Sequence, residues 1–152
     1  MLKEGDKAPT FTLKNEQNQD ITLEDFKGKK VVLYFYPKDN TPGCTKEACS
    51  FRDVYDDILA VGAVVIGVST DNAITHQKFK DKHGLPFYLL SDPENTVIES
   101  YGAWQEKKMF GKTYMGIVRS TFIIDENGVI IKTYPKVKPA EHGEEVLKIL
   151  KQ

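Results

Sequence analysis

The chain predicts an α/β sandwich built around a mixed central sheet, with an N-terminal β-hairpin extension. Three observations carry that expectation. Apolar, β-branched runs at Val31–Tyr36 and Ala63–Val68 each lead into a stretch of helical periodicity. Glu126-Asn127-Gly128 joins two further strand-like runs, a strong hairpin signal. A last amphipathic segment then follows. Strand–helix–strand–helix units, a hairpin and a final helix pack as helices against one sheet.

The elements follow in order. Thr10–Leu13 and Asp20–Leu23 flank the polar turn Lys14–Gln19 and read as a short edge hairpin. Val31–Tyr36 is apolar without alternation, as a strand covered on both faces must be, and Pro37 ends it. Thr41 stands at an N-cap with Pro42 at the first helical position, which predicts a helix to about Leu59. Phe51, Val54, Tyr55, Ile58 and Leu59 give that helix one inward face, and Gly62 stops it. Ala63–Val68 is a second buried strand. Asn72–His83 reads as a helix ending at Gly84, with Ile74, Phe79 and the stem of Lys78 toward the sheet. Phe87–Leu90 is a short strand, and Ser91-Asp-Pro-Glu starts a helix with Val97, Ile98 and Tyr101 inside. Arg119–Asp125 and Val129–Tyr134 form the hairpin strands, and Ala140–Leu150 is the last helix, packing through Val146, Leu147 and Leu150.

Composition narrows the function. At 152 residues the chain fits one domain, 1–152, with room for a real core. A net charge of −1 with both signs scattered gives no reason to expect nucleic acid as a partner. The longest apolar runs are far too short to span a bilayer, so no membrane partner is expected. The start, Met1-Leu-Lys-Glu-Gly-Asp, has no apolar signal core, and a cytoplasmic location is the expectation. Two cysteines in a reducing compartment point to catalysis rather than to a structural bridge.

Those cysteines, Cys44 and Cys49, are the only two. If Thr41 is the N-cap, Cys44 is the third helical residue. There, unpaired backbone N–H groups and the positive end of the helix dipole favour a thiolate over a thiol. The alternative is a buried apolar cysteine. Cys49 lies five residues further along. Five helical residues turn the chain by about 140° and leave the Cα atoms roughly 8.6 Å apart. A disulfide needs about 7 Å or less, so the pair cannot bridge while the helix is intact. Cys49 therefore either resolves an oxidised Cys44 after local unwinding, or packs inward near Phe51. The C-x-x-x-x-C spacing is neither that of dithiol reductases nor that of zinc knuckles. His76, His83 and His142 are scattered on helix surfaces as solvated side chains, so no metal is expected. The Thr41 hydroxyl either caps the helix by accepting a first-turn N–H or faces the thiolate and holds an incoming polar ligand. Pro37 either only ends a strand or also walls the pocket.

With these residues in place the chain resembles the peroxiredoxins, and within them the bacterioferritin comigratory protein (peroxiredoxin Q) group. Pro37, Thr41 and Cys44 meet the P-x-x-x-T-x-x-C pattern. Cys49 occupies the position of that group's resolving cysteine, and Glu106–Asp125 matches the group's downstream run and supplies its arginine as Arg119. The resemblance, from about Leu2 to the C-terminus, implies a thioredoxin-like fold and thiol-dependent reduction of hydrogen peroxide or organic hydroperoxides. It implies that Cys44 attacks the peroxide to give a sulfenic acid. It also implies that Cys49 then forms a disulfide with it within one chain, and that thioredoxin or a similar dithiol restores both thiols. No cofactor is implied, and a monomer is expected. The Cys44 backbone N–H, the Thr41 hydroxyl and the Arg119 guanidinium are expected as donors to the departing oxygen. Without the resemblance, Arg119 reads as half of a surface salt bridge. A general thiol–disulfide oxidoreductase and a redox sensor are the competing classes. Phe26, Trp104, Phe110, Tyr114 and Met115 are candidates for a peroxide channel or a contact surface, or simply for core and ordinary surface.

Overall fold

The computed structural model describes residues Met1–Gln152. A hairpin of β1 (Thr12–Lys14) and β2 (Asp20–Thr22) comes first, its second strand ending where Thr22 and Asp25 form a capping box on the short 3-10 turn Leu23–Phe26. There follow β3 (Lys30–Phe35), α1 (Pro42–Asp53), α2 (Tyr55–Ala60), β4 (Ala63–Ser69), α3 (Ala73–His83), β5 (Tyr88–Ser91) and α4 (Thr96–Ser100). Strands β6 (Trp104–Met109), β7 (Lys112–Ile117), β8 (Ser120–Ile124) and β9 (Ile130–Tyr134) and helix α5 (His142–Leu150) complete the chain.

Seven strands form one sheet in the order β2-β1-β5-β4-β3-β8-β9. Strand β3 runs parallel to β4, and β4 parallel to β5, each pair joined by crossover helices. Strands β8 and β9 add antiparallel beside β3, and β1 meets β5 antiparallel at Lys14 and Ser91. The sheet is mixed, as expected, and β3 and β4 are covered on both faces. Alternate residues of β3, with Tyr36 just after it, supply two cores. Val32, Tyr34 and Tyr36 pack with Phe51, Ile58, Phe79 and Val146, while Val31, Leu33 and Phe35 pack with Leu23, Ile98 and Tyr101. Each such large side chain contributes about 1.5–3 kcal/mol when fully buried.

Four expectations need correction. The helix predicted to run to Leu59 breaks at Val54, whose N–H falls back on the Phe51 carbonyl three residues earlier before the chain re-enters a helix as α2. That bend lets Phe51 and Ile58 both reach the core, and it leaves Leu59 exposed. On α3, Phe79 and His76 face inward, whereas Ile74 and Lys78 are exposed. His76 and His142 are fully buried rather than solvated, because each ring finds polar partners for both nitrogens. Helix α4 starts at Thr96, and Asp92 reaches forward to accept the Ile98 N–H. Beyond these, the β6–β7 hairpin has no counterpart in the strand assignment from sequence. Its residues are mostly polar and exposed, so they carry little of the apolar pattern that marks a strand.

Candidate active site

The end of β3 and the start of α1 frame the site. Tyr36 still donates its N–H to the Val68 carbonyl, and Pro37, half-buried, has none to give, so the chain leaves the sheet there. Asn40 turns the loop through the left-handed region at φ 62°, a conformation asparagine tolerates. Thr41 is then the N-cap residue, Pro42 the first helical residue and Cys44 the third. The short route from a buried strand to a helix start fixes Cys44 at the C-terminal edge of the sheet, where such folds hold ligands.

Thr41 does not cap the helix with its side chain. Its hydroxyl donates instead to the Lys38 carbonyl, 2.8 Å away. Of the two readings open for Thr41, side-chain capping is therefore excluded. A helix start without its side-chain cap loses about 1 kcal/mol. The first-turn N–H groups beside Cys44 are left without that oxygen, and the threonine oxygen keeps its lone pairs for another donor.

Register brings in the second half of the site. Phe35 pairs with Ser120 across β3 and β8, so Arg119 stands beside the residue that follows β3. The guanidinium reaches over the first turn of α1, where Gly43 leaves it room: a Cβ there would lie 3.0 Å from Nη2. Arg119 Nη2 donates to Cys44 Sγ at 3.2 Å, and Nη1 donates to Glu47 Oε1 at 2.8 Å. Cys44 is buried, and Glu47 is fully buried one turn further along α1.

Glu47 is a neighbour of Cys44 and Arg119 that the sequence reading missed. Its carboxyl is pushed up to about 7 by burial, which Arg119 only partly offsets. Burial works against the charge of Arg119, but Glu47 and the sulfur of Cys44 outweigh it and raise the guanidinium's value. A glutamate three residues after Cys44 on the same helix falls on the same face. That spacing was the available signal. Lys107 is a further cation near the site. Its amine donates to the Ile117 carbonyl, and burial followed by the charge of Arg119 pushes its value down.

Cys49 lies in the same unbroken helix as Cys44, is partly exposed, and both thiols are free. Around it, Ala48 and Phe51 are fully buried and Ser50 accepts the Gly143 N–H from α5. The structure thus sets Arg119 against Cys44, with Thr41 at the N-cap of the same helix and Pro37 at the start of the loop leading to it, and keeps Cys49 one and a half turns away. It does not gather the aromatic candidates. Phe26 packs beside Tyr88, Trp104 lies against the second core, and Phe110 is 98% exposed at the β6–β7 tip.

Comparison with known proteins identifies the family. The AhpC/TSA family matches residues 4–133. Peroxiredoxin Bcp of Bacillus subtilis is 53% identical over 147 residues, covering 97% of this chain and 94% of that protein. A cysteine-to-serine variant of Xylella fastidiosa PrxQ superposes with a TM-score of 0.94 at 35% identity, over 99% of this chain and 96% of that one. Peroxiredoxin Q of Xanthomonas campestris superposes with a TM-score of 0.88 at 38% identity, over 93% and 89%. The chain belongs to the AhpC/TSA family, as a peroxiredoxin of the Bcp (peroxiredoxin Q) group, and is a thiol peroxidase with a thioredoxin-like fold.

Proposed function

We propose that Cys44 is the peroxide-reducing sulfur, that Cys49 resolves its sulfenic acid, and that a dithiol protein such as thioredoxin recycles the resulting disulfide. One observation carries the reading: the Arg119 guanidinium lies 3.2 Å from Cys44 Sγ at a helix start whose first-turn N–H groups are uncapped. A cation and free N–H donors at one sulfur stabilise a thiolate and, in front of it, a developing oxyanion.

The reaction follows from these contacts. The Cys44 thiolate attacks the terminal oxygen of ROOH, forming the S–O bond as the O–O bond breaks. Sulfur loses two electrons and becomes S–OH, and the departing RO⁻ takes up a proton. Arg119 and the Cys44 N–H face the growing negative charge. Thr41 plays a different part from the one its motif suggests. Its proton is committed to the Lys38 carbonyl, so toward peroxide its oxygen accepts, holding the O–H of the substrate rather than stabilising the leaving group. Pro37 shapes the loop that carries these groups. Cys49 then displaces water from the sulfenic acid and forms the disulfide, after α1 unwinds between the two sulfurs.

A trapped complex of the Xanthomonas campestris bacterioferritin comigratory protein is associated with alkyl peroxide reduction, which supports organic hydroperoxides beside hydrogen peroxide as substrates here. Both cysteines on one helix support a monomer as the working unit. The two cores share a single sheet, which supports reading 1–152 as one domain. To test the reading, reduced protein receives one equivalent of hydrogen peroxide, is quenched within seconds, and its thiols are mapped by mass spectrometry. A Cys44–Cys49 disulfide within one chain is the expected product. Peroxide left unconsumed with Cys44 unmodified would overturn it.

A further inference from the structure

A second polar cluster, with no part in the chemistry above, lies under the loop that carries Thr41. His76 on α3 is fully buried, and both of its ring nitrogens are engaged. Nε2 lies 3.0 Å from the Leu90 carbonyl, which has no proton to give, so Nε2 carries the hydrogen. Nδ1 lies 2.6 Å from Asp39 Oδ2, and a contact that short between those two atoms holds a proton between them. The other oxygen of Asp39 accepts the Tyr36 hydroxyl at 2.5 Å. The backbone N–H of Asp39 donates to Asp71 Oδ2 at 2.8 Å, and that oxygen also accepts the Ser69 hydroxyl at 2.8 Å. Asp39, a loop residue, is thus gripped by the end of β3, by α3 and by the turn after β4.

Asp39, Asp71 and His76 are close enough together to suggest a metal site. Asp39 and His76, however, bond to each other and to Tyr36 and Leu90, and Asp71 accepts from the Asp39 N–H and the Ser69 hydroxyl, so the cluster is closed by its own protons. Stability does not explain it either. A buried ion pair is commonly worth no more than well-packed apolar side chains of the same volume. A fully satisfied buried network gives rigidity instead. The rigid point here adjoins the site: Lys38, which precedes Asp39, offers the carbonyl that takes the Thr41 proton, and Asn40 supplies the left-handed turn between them.

We propose that His76 is a positioning residue for peroxide attack, acting through Asp39 and the Lys38 carbonyl to orient the Thr41 hydroxyl as an acceptor. The proposal rests on the peroxidase reading of Cys44 and Thr41. It makes a distinction that reading does not. The cluster governs the substrate's O–H partner and leaves the sulfur, held by Arg119 and α1, reactive. Loss of the cluster slows attack on peroxide without slowing attack on a reagent that needs no such partner.

The test uses the full chain with Cys49→Ser, so that Cys44 is the sole thiol. Two rates are measured on each reduced protein: oxidation by hydrogen peroxide in stopped flow, and alkylation by iodoacetamide. A misplacement of about 1 Å in a reacting group costs about 100-fold, and that loss is expected in peroxide oxidation for His76→Leu and Asp39→Leu. Alkylation stays near the parent rate in both. Asp39→Asn restores peroxide oxidation, because its amide can donate to Nδ1 of a neutral His76 while its oxygen still accepts from Tyr36. Should His76→Leu fail to fold, the two Asp39 variants decide the matter. Peroxide oxidation and alkylation falling together would overturn the proposal, as would unchanged peroxide rates or an Asp39→Asn variant as slow as Asp39→Leu. A parent protein that alkylates but ignores peroxide would instead sink the peroxidase reading itself.

Discussion

Replacing Glu47 by Gln separates what the buried acid does for the site from what it costs the fold. The carboxyl is fully buried, has one oxygen on Arg119 and leaves Oε2 without a partner. Burial pushes its value from the ordinary 4.5 to about 7. Below 4.5 the group is protonated in the folded and the unfolded chain alike, and its contribution is fully favourable. As pH rises toward 7 the unfolded chain loses this proton while the folded protein keeps it, so stability falls and then levels above 7. A displacement of that size corresponds to about 3 kcal/mol. Gln keeps an acceptor for Arg119 and places an amide where the unpaired oxygen lay, but it cannot ionise. Urea titrations of the reduced wild-type and Glu47→Gln proteins at pH 4.5, 5.5, 6.5 and 8 read the difference directly, since every other titrating group contributes to both. The variant is expected to gain on wild type by about 3 kcal/mol between pH 4.5 and 8. Parallel stability profiles across that range would refute the reasoning, and with it the claim that desolvation dominates at Glu47.

Three further outcomes follow from the same contacts. Arg119→Ala removes the donor on Cys44 Sγ that is proposed to face the leaving oxygen, and should slow peroxide oxidation of Cys44 by about 100- to 1,000-fold in stopped flow; a rate near wild type would take Arg119 out of the mechanism. Cys44→Ser should abolish turnover, whereas Cys49→Ser should keep the first oxidation and lose thioredoxin-driven recycling in a coupled assay; normal recycling would remove Cys49 from the resolving role. Gly143→Ala sets a Cβ 2.1 Å from the Ser50 carbonyl oxygen and should force α5 off α1. The expected cost is about 1–3 kcal/mol by urea denaturation, and an unchanged midpoint would show that the two helices part freely there.

Much of the architecture was legible because local rules suffice for it. Unbroken apolar runs mark β3 and β4, Asn72 and Gly84 bound α3, and Asn127-Gly128 makes the β8–β9 turn. Cys44 was legible for the same reason: its place in a first helical turn depends only on the residues around it. The β6–β7 hairpin was not, because exposed strands need no apolar alternation, and the break at Val54 was not, because tertiary packing of Phe51 and Ile58 sets it.

The chain by itself determined that Cys44 stands at a helix start and in what order the strands of the main sheet follow, since each is a matter of neighbours in sequence. Only the tertiary structure decided who stands beside that sulfur. Arg119 comes from 75 residues away through the β3–β8 register, and its partner Glu47 becomes unusual only once it is buried. His76 reads as a surface helix residue until Asp39 and Leu90 close around it. Even the Thr41 hydroxyl, whose motif suggested a cap or a donor to the leaving oxygen, takes its direction from the Lys38 carbonyl. Burial and hydrogen-bond direction belong to the folded neighbourhood, and residue identities along the chain do not carry them.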